Sequence, residues 1–516
     1  MFAPALVSLV LGLWGVRRDG SMWRDEAVTY DMARRSLPDL WSTLAGADAV
    51  HGLYYLFMHA LFEVCGGLDP LLVLRLPSVL ATAAATGTVA LLGRRLAGPR
   101  AGLLAGTVFA VLPQVQRYGQ EGRSYALVCA LVVWATYLLV RAVGSRGSAR
   151  AWAAYGAVLL AACLLHEFAV LALAAHAPAV PRGARRGWAR AAVTVLVAMA
   201  PLGTLSLRQS DQVSWIGGPG TGAYLGFAGL AVLGAACARV LGLGAAHGFR
   251  QPAPANGTAP DTHPSALTHT TAPDTHPSAP ARDTPLPPLG PRRPLLGTST
   301  ASHPRLPALA LGLLLLPSLL LLLVSLVKPL YVDRYVLYGQ AGTALLVGAA
   351  LDRLIRTAGR TRTLALAGAG AAVLALLPVT LQLRTPESRT DDVTAVARAV
   401  AEAGDRGDGV LYMPARRRVW SLPDPGSVRG LRDLALERGP VASHTLYGTE
   451  VPATVIRARM LATPRVVALR DPAGQPLDRT PQEIVKRRVL AEYFEECGTR
   501  QVRGARVTVY AHPGEC

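Results

Sequence analysis

The sequence predicts a mostly α-helical, polytopic membrane protein of about eleven spans followed by a small C-terminal α/β domain. Three observations carry this. First, 51% of the 516 residues are hydrophobic and the mean hydropathy is +0.32, too apolar for an ordinary soluble chain of this length. Second, uncharged runs such as LALGLLLLPSLLLLLVSLV at 309–327 approach the ~20 residues that cross a hydrocarbon core, where a proline such as Pro317 is tolerated. Third, the net charge of +19 is spread over short arginine clusters between apolar runs. That spacing marks cytoplasmic loops and disfavours nucleic-acid binding, which calls for one basic face.

The run at 2–16 is short, but no basic n-region precedes it and no A-x-A-like site follows, so it reads as a first span and not as a cleaved signal peptide. Residues 51–65, HGLYYLFMHALFEVC, mix aromatic and polar side chains and read as an interfacial helix. Counting them as a span would place Arg94, Arg95 and Arg100 outside, against the loop-charge rule. Spans at 76–92 and 101–115, an outer loop at 116–123 and a span to Val140 lead to Arg141, Arg146 and Arg150 inside. A span from Ala151 turns outside at His166 and Glu167 and returns over 168–180 to Arg182, Arg185, Arg186 and Arg190.

Spans at 191–207 and 223–243 flank an outer loop with Arg208, Asp211 and Trp215. The segment 247–307 is rich in Pro, Thr, Ser and Ala and repeats APDTHPSA at 259–266 and 272–279, a composition that predicts a disordered cytoplasmic linker. His263, His269 and His276 recur there with the repeat and lack the partners of a metal site. An outer loop at 328–335, then Arg353, Arg356, Arg360 and Arg362 inside, precede the last span at 364–381.

Beyond Arg384 the composition turns polar. An amphipathic helix at 392–403, with Val393, Val396, Ala397 and Val400 on one face, and the strand-like GVLYMP at 409–414 indicate a small α/β domain. An odd number of spans puts it outside the cell, where Cys497 and Cys516 can pair. Cys65, Cys129, Cys163 and Cys237 lie in apolar sequence and read as packing residues. The expected boundaries are an N-terminal transmembrane module at 1–246 with its first outer loop at 17–75, the linker at 247–307, helices at 308–383, and the extracytoplasmic domain at 384–516.

This register gathers Asp25, Glu26, Glu63, Glu121, Arg123, His166, Glu167, Asp333 and Arg334 on the outer side. Charges at membrane depth are expensive, so such a gathering marks a candidate site, the plainer alternative being salt bridges between helix ends. WRDEA at 23–27 sets two carboxylates just after the first span, where one can take a proton from a hydroxyl. YGQEGRSYA at 118–126 and YVDRYVLY at 331–338 supply arginines suited to a phosphate, and His51 or His166 can join them.

The acidic pair, the aromatic GLYYLFMHALF, the R-x-Y of Arg123 and Tyr125, the His166 turn and the RY of Arg334 and Tyr335, in this order, resemble the GT-C membrane glycosyltransferases. The likeness is to the bacterial relatives of protein O-mannosyltransferases and aminoarabinose transferases. It implies a polyprenyl-phosphate sugar donor, inversion at the anomeric carbon, Asp25 as general base and Glu26 as its catalytic support. It further implies a donor-phosphate pocket of Arg123, Arg334, His166, Tyr125 and Tyr335. Glu63, Glu121 and Glu167 stand as supports or as ligands to a divalent metal, whose use the sequence leaves open.

The expected activity is hexose transfer, mannose first, to a protein or cell-envelope glycan on the outer face of a bacterial plasma membrane. A transporter or lipid flippase is the alternative, opposed by the lack of an evident inverted repeat. A noncatalytic envelope scaffold is a third reading. The 247–307 linker falls outside the family core, and Arg17, Arg18, Arg24, Arg34 and Arg35 lie outside against the charge rule. Attraction to an anionic lipid donor is the expected reason for those five.

Overall fold

The computed structural model describes residues 2–144, 148–210, 217–242 and 306–516. The expectations about the linker, its three histidines, Asp211, Trp215 and Arg146 therefore lie outside the described residues. Each of the eleven expected spans coincides with a helical stretch: Phe2–Leu13, Pro70–Ala97, Pro99–Val111, Tyr125–Gly144, Ala149–Leu165, Glu167–Ala179, Arg182–Arg208, Thr221–Val240, Leu306–Val324, Gln340–Arg356 and Arg360–Gln382. Six of them are long and apolar enough to cross a membrane. The others fall short of the ~20 residues of a full crossing. Residues 51–65 form the separate helix Gly52–Val64.

Local chemistry sets where these helices start and pack. Asp69 caps Pro70–Ala97 by accepting from the Leu71 amide at 2.8 Å, and Pro70 takes the first turn, where a missing N–H costs nothing. The helix ends at Gly98, whose φ of +102° is closed to a side chain, and Pro99 opens the next helix. Between membrane helices, small residues allow backbone contact. A Cβ at Gly348 would lie 2.5 Å from the Ala105 amide nitrogen, and one at Gly93 2.8 Å from the Gly102 Cα.

In the C-terminal region, strands run in the order Arg432–Asp433, Gly409–Met413, Arg465–Arg470, Ala505–Ala511, Glu495–Val502. The first two pairings are parallel and the last two antiparallel. Gly409–Met413 is buried along its whole length because both faces of the sheet are covered. Its Val410 and Tyr412 share a buried core with Val393, Val396 and Val400 of the Val393–Ala403 helix, whereas Leu411 and Met413 join Ile456 and Leu490 of the helices Ala453–Leu461 and Pro481–Tyr493. Cys497 and Cys516 form a disulfide, and the other four cysteines are free, three of them buried.

One expectation changes character. The segment 116–123, read as an outer loop, is a short helix Pro113–Tyr118 followed by a turn whose Gln120, Glu121, Arg123 and Ser124 are all buried. A buried turn needs every backbone polar group matched, and the sequence supplies the partners. The Gln120 backbone N–H donates to the Arg117 carbonyl, its side-chain Nε2 donates to the Gly12 and Trp14 carbonyls at 2.8 Å each, Arg18 donates to the Gln120 carbonyl at 2.9 Å, and Ser78 donates to the Glu121 carbonyl at 2.6 Å.

Candidate active site

Asp25 and Glu26 open the helix Arg24–Ala33, where a carboxylate suits the N-terminal end of the dipole. The two side chains diverge. Glu26 is fully buried and receives Arg75 Nε at 2.8 Å and Nη2 at 2.6 Å, Arg18 Nη2 at 3.2 Å, and the Gly122 amide at 3.0 Å. Burial pushes its carboxyl up, but the guanidinium groups of Arg75 and Arg18 and the bonds from Arg75 and Gly122 outweigh this and bring it down to about 2. With its lone pairs filled this way, Glu26 ties the segment just past the first helix, the Pro70–Ala97 helix and the 119–124 turn together.

Asp25 keeps 15% of its side chain exposed, faces Arg334 Nη2 at 3.3 Å and lies 3.5 Å from Arg24 Nε. Burial again raises its carboxyl, and Arg334, Arg123, Arg24 and His51 more than reverse this, so it is an anion at neutral pH. Arg334 stands over three rings, 5.5 Å from the centroid of Trp23, 5.3 Å from Tyr125 and 5.8 Å from Tyr335. These rings hold its guanidinium plane by cation–π attraction.

Arg123 projects from the buried turn into the same place. Its Nη1 donates to Thr29 Oγ1 at 3.3 Å and Tyr55 Oη at 3.2 Å, its Nη2 donates to His51 Nε2 at 2.7 Å, and its buried Nε–H meets no acceptor among the described residues. His166 packs its ring 4.5 Å from Tyr335 and 5.6 Å from Tyr125 between centroids, and its buried Nδ1 likewise has no partner among the described residues. The structure thus brings Asp25, Arg123, Arg334, His166, Tyr125 and Tyr335 into one buried cluster, with Glu26 as the strut behind it. The arrangement offers one partly exposed carboxylate facing two guanidinium groups, a pattern that can take a proton on one side and hold an anion on the other.

The three glutamates named as supports or metal ligands do not come together. Glu63 is exposed near the end of the Gly52–Val64 helix, Glu167 accepts from Ser206 at 3.0 Å, and Glu121 lies 3.1 Å from Arg389 of the C-terminal region. Among the described residues no three His, Cys, Asp or Glu side chains form a metal-holding group.

Each of the five outer arginines has a partner within the protein. Arg17 pairs with Asp69, Arg18 with Glu26, Arg24 with Asp25 and Asp391, Arg35 with Asp31, and Arg34 donates to Tyr30.

Sequence reasoning missed Arg75, Asp48, Tyr55 and Thr29. Arg75 had a signal, a single charge inside the apolar PLLVLRLPSVL at 70–80. Asp48 had a weaker one, a carboxylate three residues before His51. Thr29 and Tyr55 had none, because their roles depend on which helix faces which.

Residues 51–206 match the family model of dolichyl-phosphate-mannose-protein mannosyltransferases. No curated protein matches the chain. Among solved structures, ArnT from Cupriavidus metallidurans in the apo state is 12% identical with a TM-score of 0.51, the match covering 94% of this chain and 93% of that one. The archaeal oligosaccharyltransferase AglB from Archaeoglobus fulgidus, solved with an inhibitory peptide and a dolichol-phosphate, is 11% identical with a TM-score of 0.42, over 90% of this chain and 68% of that one. Residues 51–206 are thus similar to the mannosyltransferase family, and nearly the whole chain shares the GT-C fold seen in ArnT.

Proposed function

We propose that the protein transfers a hexose, mannose being the first candidate, from a polyprenyl-phosphate carrier to a hydroxyl of a protein or cell-envelope glycan. The observation that carries this is the division of labour in the acidic pair: Glu26 is saturated by Arg18, Arg75 and Gly122, whereas Asp25 is ionised, partly open and opposed by Arg334. In the reaction, the acceptor hydroxyl gives its proton to Asp25 as its oxygen attacks the anomeric carbon. The bond from that carbon to the phosphate oxygen breaks with its electron pair going to the phosphate, and the sugar inverts. Arg123 and Arg334 hold the departing lipid phosphate, Arg123 with the Nε–H that has no partner among the described residues.

The mannosyltransferase family model over 51–206 supports mannose as the sugar to try first. The disulfide between Cys497 and Cys516 supports an extracytoplasmic C-terminal region, and hence transfer on the outer face of a bacterial plasma membrane. The test uses membranes holding the full chain and a labelled polyprenyl-phosphate sugar. Wild type releases lipid phosphate and labels an acceptor, and Asp25→Asn does neither while remaining in the membrane at normal abundance. Undiminished transfer by Asp25→Asn removes the proposed base, and sugar-lipid movement without cleavage in wild type makes the protein a flippase.

A further inference from the structure

Three groups accept hydrogen bonds from Arg123, and each has its own proton committed elsewhere. Thr29 donates to the Asp25 carbonyl at 3.0 Å, so only its lone pairs face Arg123. Tyr55 donates to Asp48 Oδ2. His51 Nδ1 lies 2.8 Å from Asp48 Oδ1. A carboxylate without a proton can only accept, so Nδ1 carries the hydrogen, and Nε2, facing the permanently protonated Arg123, is the bare nitrogen. One residue therefore turns two lone pairs onto the guanidinium.

The segment carrying that residue is built to hold it. Asp48 has a φ of +57°, a strained conformation for a side chain that concentrates at functional sites. Gln209, just past the Arg185–Arg208 helix, accepts from the Ala49 amide at 3.0 Å and donates to the Leu44 carbonyl at 2.9 Å, pinning the turn from both ends.

We propose that Asp48 is a positioning residue for the donor-phosphate pocket: through His51 and Tyr55 it sets Arg123, and it does so only while His51 is neutral. The inference rests on the reading of Arg123 as a ligand of the lipid phosphate. A proton added at His51 Nε2 would face the Arg123 N–H at 2.7 Å, donor against donor, and the guanidinium would have to leave. The groups facing His51 are Asp48 and Tyr55 from its own segment, Asp25 from the Arg24–Ala33 helix, Arg123 from the buried turn, and the His166 ring at 5.5 Å. Burial and Arg123 hold the imidazole below its usual range, and Asp48 and Asp25 oppose them without winning. Donor use should therefore fail on the acid side, below the ordinary imidazole range, as His51 gains its proton.

The test is the pH profile of kcat/KM for the polyprenyl-phosphate sugar, with binding of the bare polyprenyl phosphate measured alongside, on the full chain in lipid discs. His51→Gln can still accept from Arg123 through its amide oxygen and cannot titrate. It should retain more activity than Asp48→Asn and lose the acid limb. Asp48→Asn should lower kcat/KM by about 10–100-fold, the usual effect of removing a residue that orients a ligand-binding group, mainly through KM and with matching loss of polyprenyl-phosphate binding. An acid limb unchanged in His51→Gln, or full kcat/KM in Asp48→Asn, overturns the positioning role while leaving the transferase reading intact. If wild type neither binds polyprenyl phosphate nor transfers from its sugar conjugate, the functional reading fails, and with it the role given to Arg123.

Discussion

Glu26→Gln removes the single carboxylate between two buried arginines and separates a strut from a catalyst. Arg18, Arg75 and Glu26 are each at most 1% exposed, so no solvent takes over the lost charge. Breaking one member out of a buried, hydrogen-bonded ion pair costs about 3–5 kcal/mol, because the partner is left uncompensated. The depressed carboxyl of Glu26 reflects the same contacts and gives a figure of the same order. Its displacement from 4.5 to about 2 corresponds to about 3 kcal/mol at roughly 1.4 kcal/mol per unit. Since the folded value lies below the unfolded one, this stabilisation is complete above pH 4.5 and is lost as pH falls through about 2.

The assay is the thermal unfolding midpoint of the detergent-purified chain at neutral pH and at pH values below about 4.5. Wild type should lose stability as the pH falls through that window. Glu26→Gln should begin several degrees lower at neutral pH and lack this component of the acid loss. An unchanged midpoint together with abolished transfer would refute the strut and make Glu26 a proton acceptor.

Arg334→Lys keeps the charge but loses the plane resting on Trp23, Tyr125 and Tyr335; kcat/KM for the lipid donor should fall about 10-fold or more, as steady-state kinetics would show. Gly348→Leu must push the Gln340–Arg356 helix off the Pro99–Val111 backbone, and overpacking of this kind costs about 1–3 kcal/mol, visible as a lower thermal midpoint with the site residues untouched. Cys497→Ser together with Cys516→Ser opens a loop of 19 residues, worth about 3 kcal/mol in loop entropy. Protease resistance of the C-terminal region should fall while transfer by fresh membranes stays at the wild-type rate, and a parallel loss of transfer would tie that region to the chemistry.

How far the sequence reaches follows from which interactions are local. Hydropathy and arginine spacing located the eleven helical stretches named above, six of them long and apolar enough to cross a membrane, because an apolar run is written in each segment's own composition. The Val393–Ala403 helix and the Gly409–Met413 strand were legible for the same reason, the first from its apolar period of 3.6 and the second from a short continuous apolar run. The 116–123 turn was not, since its polar composition fits a solvated loop until Gly12, Trp14, Arg18 and Ser78 are known to surround it.

The acidic pair shows the same limit at atomic scale. Adjacent carboxylates point to different sides of a helix, and only the position of Arg75, 49 residues on, determines that Glu26 is saturated and Asp25 is not. The division of that pair is thus a property of the folded contacts, and so is the alignment of Arg123. Asp48 and His51 are three residues apart, yet their link matters only because the turn from Gly119 to Ser124 delivers a guanidinium 72 positions away from His51. A site assembled in this way should tolerate changes in the spans that preserve helix packing and be sensitive to small shifts of the two short segments, 44–51 and 119–124, that aim its charges.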